Sequence, residues 1–248
     1  MISTVVAENA GEDQNISFLL IPDPYRLFLL LTHLLVDTNH VLVYAFLCKL
    51  VGANHLHDLH VEVSIMSDEM IVETCSPTLA GLKTGSMFST KYTDRRELFR
   101  QLKRLNLLLV PKGLRIIPLR FTEDRALIYL YRPSCLSRDL TDKEARKILE
   151  SRGYIPENES LCIHCLVGRL KQEGDFPHEI GLFLGYPAED VAGFIEKGAR
   201  ACLCTGVWKV YSHRERALEL FSRYKKCSAS YKVQFRRGTG IDALAVAL

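Results

Sequence analysis

LRIIPLRFTEDRALIYLYR, residues 114–132, decides the fold class. Both arms are rich in aliphatic and aromatic residues, and Thr122-Glu123-Asp124 forms a short polar break between them. Two such arms around a tight polar turn predict an antiparallel hairpin over 114–132. Pro118 has no N–H to give to a ladder, so it predicts an edge strand or a bulge.

Helical signals lie on both sides of the hairpin. On the N-terminal side, Thr93 or Asp94 opens a helix in which Leu98, Leu102, Leu105 and Leu109 recur at four, three and four residues. Further upstream, Ser76-Pro77 reads as an N-cap followed by proline at the first helical position, with Gly85 as the stop. That reading puts Cys75 just before a helix N-terminus. On the C-terminal side, Thr141 or Asp142 caps a helix that Gly153 closes, and a further helix covers about 160–172. Pro177, Gly185, Pro187 and Gly198 punctuate two short helices. GVWKVY (206–211) reads as another strand. A long helix then starts near His213 and runs into the 230s, with Ala217, Phe221, Tyr224, Cys227, Tyr231 and Phe235 as its apolar seam. The predicted class is α+β: a small, mostly antiparallel sheet (hairpin 114–132 plus strand 206–211) covered by helices, with a long C-terminal helix.

Composition is that of a globular chain, 48% hydrophobic and 25% charged, which excludes a disordered or low-complexity protein. The apolar runs LFLLLTHLLV (27–36) and VLVYAFL (41–47) are too short to span a bilayer, so no transmembrane span is expected. No secretory signal opens the sequence, and the eight cysteines fall short of disulfide-scaffold density. The expected setting is the cytoplasm, with reduced thiols.

Charge divides the chain near residue 66. Residues 1–65 carry a balance of −5 and residues 66–248 a balance of +8. The front segment therefore reads as an apolar appendage, and the break points to a native start at Met66 or Met70. The expected globular domain is 66–240. Within the front segment, HLHDLH (55–60) spaces three histidines and an aspartate as metal ligands could be spaced.

Several motifs carry chemistry on paper. His178-Glu179 suggests the zinc-protease pattern, but Leu182 stands where the second histidine must be. GLKTGS (81–86) lacks the lysine directly after the second glycine that a phosphate loop needs. Cys75, at its expected helix start, would have a depressed pKa and act as a nucleophile with His178 as base. A transition metal, iron or zinc, could be held by Cys75, His178 and Cys227. Cys162 and Cys165 with Cys202 and Cys204 form a second thiolate set, although the first two fall inside a predicted helix. The two short helices could form a helix-turn-helix, but Glu189 and Asp190 would face phosphate. The basic run 91–120, with Arg96, Arg100, Lys103 and Arg104, is the better candidate for nucleic acid or an acidic protein.

CSPTLAGLKTGSMF (75–88), LIYLYRP (127–133), FPHEIGLFLGYPAEDVAGFI (176–195), GVWKVY (206–211) and FSRYKKC (221–227) occur in a fixed order. These blocks resemble a bacterial domain-of-unknown-function family of the DUF3793 type, found mostly in clostridia and other anaerobes. The resemblance implies that Cys75, Lys83, Tyr131, Arg132, Cys162, His178, Glu179, Trp208, Lys209, Tyr211 and Cys227 occupy motif positions. It also implies a start near Met66. No activity comes with it. The reading from sequence is a thiol- or metal-dependent role centred on Cys75 and His178, with Lys83 and Glu179 as further catalytic candidates. The alternative is a non-catalytic binding or regulatory module that uses the basic face.

Overall fold

The computed structural model describes residues 66–172 and 176–248. The apolar runs, the histidine cluster and the late start all concern residues outside the described set.

Helix α1 (Asp68–Leu79) opens the described chain. Ser67 caps it, its Oγ accepting the Met70 N–H at 3.1 Å, and Asp68 and Glu69 sit in the first turn, where acidic side chains suit the helix dipole. The helix expected from Ser76 to Gly85 is therefore displaced upstream. Ser76 is not an N-cap: its hydroxyl donates back to the Val72 carbonyl one turn earlier. Pro77 lies inside the last turns of α1, where it gives up one backbone donor without ending the helix.

Strand β1 (Gly85–Lys91) was not expected. It has no clean apolar alternation, because its buried face carries Ser86 and Thr90 beside Phe88. Ser86 Oγ is satisfied by Thr78 Oγ1 at 2.9 Å. Helix α2 (Arg95–Leu109) follows, with Asp94 accepting the Arg96 N–H at 2.9 Å. A short 3-10 turn over Val110–Lys112 leads into β2 (Arg115–Phe121) and β3 (Arg125–Tyr131), the hairpin read from the sequence.

The sheet is antiparallel in the order β1-β3-β2. β2 is an edge strand, and its register shifts between Pro118 and Arg120, so the proline sits at both an edge and an irregularity. Asn106 of α2 covers part of that edge. Its side chain accepts from Ile116 N at 3.0 Å and donates to Ile116 O at 2.8 Å.

The remaining elements are α3 (Pro133–Leu140), α4 (Lys143–Glu150), α5 (Glu159–Lys171), the single turn α6 (Ile180–Phe183), α7 (Ala188–Lys197), β4 (Cys204–Thr205), β5 (Lys209–Val210), α8 (Arg214–Arg236) and α9 (Ile241–Leu244). GVWKVY supplies only β5, which pairs with β4 in a separate two-stranded ladder. It stays outside the main sheet, and Asp190 of α7 holds it. Asp190 accepts from Trp208 Nε1 at 2.7 Å, Tyr211 N at 2.7 Å, Ser212 N at 2.9 Å and Ser212 Oγ at 3.1 Å.

The leucine stripe of α2 is buried throughout, against Ile71, Leu79, Ile116, Ile128 and Leu130. Each such side chain contributes roughly 1.5–3 kcal/mol by leaving water. Ile241, Leu244 and Ala245 complete this core, so the domain extends past residue 240. Arg132 is fully buried and binds only carbonyls: Thr78 at 2.9 Å, Leu79 at 2.7 Å, Lys112 at 3.3 Å and Val246 at 2.7 Å. It thus ties the C-terminal end of α1 to the 3-10 turn and to the C-terminal segment. A smaller cluster gathers Trp208, Val210, Ala217 and Tyr224, with Tyr186 and Phe221 against it.

Candidate functional site

His178 and Glu179 are adjacent in sequence and part company in space. His178 is exposed, its ring edge-on to Phe194 with centroids 4.8 Å apart. Glu179 is fully buried. Tyr154 Oη donates to its Oε1 at 2.9 Å, Arg152 Nη1 lies 3.3 Å from Oε2, and Arg169 Nε lies 3.7 Å from Oε1. Arg169 also lies over the Tyr154 ring at 5.2 Å and donates to the Arg152 carbonyl. The carboxylate thus joins α5 to the loop after α4.

Cys75 lies eight residues into α1, far from the free N–H groups at the helix start. The placement expected before a helix N-terminus is corrected by the cap at Ser67. Burial pushes its thiol up to about 12, and Lys83 and Ser86 offset this only in part. The dipole that would favour a thiolate is absent here.

The other cysteines are dispersed. Cys227 is half-buried on α8, and burial raises its pKa. Cys162 is buried in α5, its Sγ donating to the Ile155 carbonyl at 3.1 Å, and burial pushes it to about 11. Cys202 Sγ lies 3.7 Å from the Ala199 carbonyl, and Cys204 is half-buried in β4. Among the described residues, no three His, Cys, Asp or Glu side chains are grouped to hold a metal ion. The described cysteines are all free thiols.

The basic residues of α2 are partly matched by acidic neighbours. Arg100 pairs with Glu97 at 2.6 Å, and Arg104 pairs with Asp68 of α1. Arg96 is exposed and Lys103 is half-buried.

Lys83 occupies a different kind of position. The chain leaves α1, and the Pro77 carbonyl accepts from both Leu82 N at 2.8 Å and Lys83 N at 3.1 Å. Thr84 O then accepts the Arg132 N–H at 2.9 Å, and its side chain donates to Asp139 of α3. Gly185 approaches from the other side with φ +72°, and a Cβ there would meet Thr84 Oγ1 at 2.8 Å. Only glycine allows both the conformation and the contact. Tyr224 of α8 closes the third side, its Oη donating to the Leu82 carbonyl at 3.3 Å.

These segments bound a cleft of about 660 Å³ whose lining includes Lys83, Arg138, Asp139, Tyr186, Arg216 and Tyr224. Lys83 Nζ lies 5.2 Å from the centre of the Tyr186 ring. Lys83 is half-buried, and partial burial lowers its pKa to about 8. Asp139 is engaged by Thr84 and by Arg138, at 2.9 Å from Nη2. Asp142 is engaged as the N-cap of α4. Among the described residues, neither Lys83 nor Arg216 pairs with a carboxylate. A second groove of about 560 Å³ lies between α4 and α7, but Lys147 and Glu144 on its wall satisfy each other at 2.8 Å.

Lys83 was a sequence candidate; Asp139, Tyr186, Arg216 and Tyr224 were not. Their signal is tertiary, since each lies far from Lys83 along the chain. The fold and the cleft define an α+β domain with a lysine at the centre of its candidate site. Residues 71–245 match the family described as Protein of unknown function (DUF3793), and the chain belongs to that family. No curated protein and no solved structure matches it. Among the described residues, no helix is long and apolar enough to cross a membrane.

Proposed function

We propose that this domain binds a small anionic molecule in the cleft around Lys83. The observation that carries the reading is a half-buried ammonium, without a carboxylate partner among the described residues, on the wall of a cleft. Taking a cation partly out of water costs free energy that an anionic partner offsets, so an unpaired, half-buried ammonium in a cleft suits an anion. Arg216 offers a second cation, and Tyr186 and Tyr224 offer aromatic walls. Three of the sequence blocks behind the family resemblance contribute to this lining: the first with Lys83 and Thr84, the third with Gly185 and Tyr186, and the last with Tyr224. Free thiols at every described cysteine suit the cytoplasmic setting expected from sequence. Cys75 takes part as a protonated neighbour of Lys83 and not as the nucleophile.

Thermal melts with phosphate, acetate, pyruvate and a nucleoside monophosphate test the reading. A ligand at a hundred times its Kd adds about 2.7 kcal/mol. For a domain of this size that raises Tm by roughly 5–10 °C. The shift should vanish in Lys83→Met. No shift with any of these anions would overturn the proposal.

A second reading rests on α8. Residues 214–237 carry eight basic and two acidic residues, and Arg223, Lys225, Lys226, Arg236 and Arg237 are exposed. This face suits a polyanion better than the α2 face, where Glu97 and Asp68 already pair with Arg100 and Arg104. Salt-dependent retention on immobilised DNA, weakened when Arg223, Lys226 and Arg237 are changed to glutamine, would support it. Retention unchanged by those substitutions would refute it.

A further inference from the structure

We infer that Lys83 condenses reversibly with a small oxo acid, forming an imine inside the cleft; this rests on the anion-binding reading and specifies its ligand. An ammonium that only held an anion would gain from keeping its charge. Burial at Lys83 instead lowers the pKa to about 8, which enlarges the minor neutral fraction, and the neutral amine is the nucleophile. At neutral pH, an amine titrating near 8 is unprotonated on the order of a hundred times more often than an ordinary lysine.

The geometry suits the partner. Tyr186 lies beneath Nζ at 5.2 Å, and its ring attracts the protonated imine as it attracts the ammonium. Arg216 lines the same cleft and can hold the carboxylate of the ligand. Asp139 is already bonded by Thr84 and Arg138, so it does not compete for Lys83. Tyr224 closes the cleft on the side of the long helix.

The step balances without a further reactant. The Nζ lone pair adds to the carbonyl carbon, a C–N bond forms, and an Nζ proton passes to the carbonyl oxygen. Protonation of that oxygen expels one water and leaves the iminium. From ammonium and ketone to iminium and water, no net proton or electron is exchanged.

The test uses the full chain with pyruvate or glyoxylate, cyanoborohydride at neutral pH, and peptide mapping by mass. The expected result is a reduced adduct on Lys83, formed on the order of a hundred times faster than at any other lysine, with the α-amino group, which titrates near 8 in any chain, mapped separately. Lys83→Arg should show no adduct at that position while keeping a cooperative melt. Adducts spread evenly over the lysines, or an unmodified Lys83, would overturn the imine. If the two oxo acids still raise Tm in that case, the anion-binding reading stands without it. If they neither raise Tm nor label Lys83, and the other anions give no shift, both readings fail.

Discussion

Asp190→Ala should be among the most damaging single changes in this domain. Its carboxylate is 3% exposed and receives three N–H donors and one hydroxyl. Truncation leaves Trp208 Nε1, Tyr211 N and Ser212 N without their acceptor. A hydrogen bond to a charged group contributes about 1.5–3 kcal/mol. Tyr211 and Ser212 are only half-buried, so water can replace part of what they lose. The expected loss is about 3 kcal/mol, or roughly 6–12 °C in Tm. Asp190→Asn keeps one acceptor oxygen but turns an amide N–H toward a donor, and should cost about 1–2 kcal/mol. Trp208 is the sole tryptophan, so urea unfolding followed by its fluorescence reads the bonded ring directly. An Asp190→Ala protein within about 0.5 kcal/mol of wild type would refute this account of how the GVWKVY segment is held.

The His-Glu pair should separate by mutation as it does in space. Glu179→Ala, which leaves Tyr154 Oη without its acceptor and two partly exposed arginines without their carboxylate, is expected to cost about 2–3 kcal/mol, while exposed His178→Ala costs under about 1 kcal/mol; chemical denaturation measures both. Cys75 should resist iodoacetamide in the native state and react on unfolding, as read by mass mapping. Stability should vary with pH in opposite senses at Cys75 and Lys83. The Lys83 pKa is depressed from 10.5 to about 8, so its contribution is present above 10.5 and lost as pH falls toward 8. The Cys75 pKa is raised from 9.0 to about 12, so its contribution is present below 9.0 and lost as pH rises toward 12. Urea midpoints across that range should rise above pH 8, level off, and then fall. Lys83→Met should remove the rise, and Cys75→Ala should make the fall shallower without abolishing it, because Cys162 and the buried Tyr129 and Tyr131 also resist ionisation.

Much of the architecture was legible because it rests on local periodicity. The leucines of α2 and the two arms around Thr122–Asp124 carry their own evidence. β1 was not legible because Ser86 and Thr90 face inward, and their burial depends on Thr78 and on tertiary packing. Ser76-Pro77 misled because the same dipeptide can open a helix or sit in the last turns of one. Only Ser67, nine residues earlier, settles the choice. The site was legible as names without roles. Lys83 and Glu179 are visible in the sequence blocks, but their meaning comes from Tyr186, Asp139, Tyr154 and Arg169. Asp190 read as a surface acid at a short helix, whereas Trp208 and Ser212 make it a buried tie.

The Arg132 clamp bears on the order in which the domain assembles. The guanidinium waits for Val246, 114 residues further along the chain, and α9 closes the core over α1. During synthesis the sheet and α2 can form early, yet the core stays open until the last helix arrives. Closing so long a loop is slow, and the exposed apolar face of α1 and α2 is sticky meanwhile. A ribosome-stalled chain with residues 241–246 still inside the exit tunnel should therefore be protease-sensitive over α1, and a C-terminal linker long enough to bring Val246 out of the tunnel should restore protection.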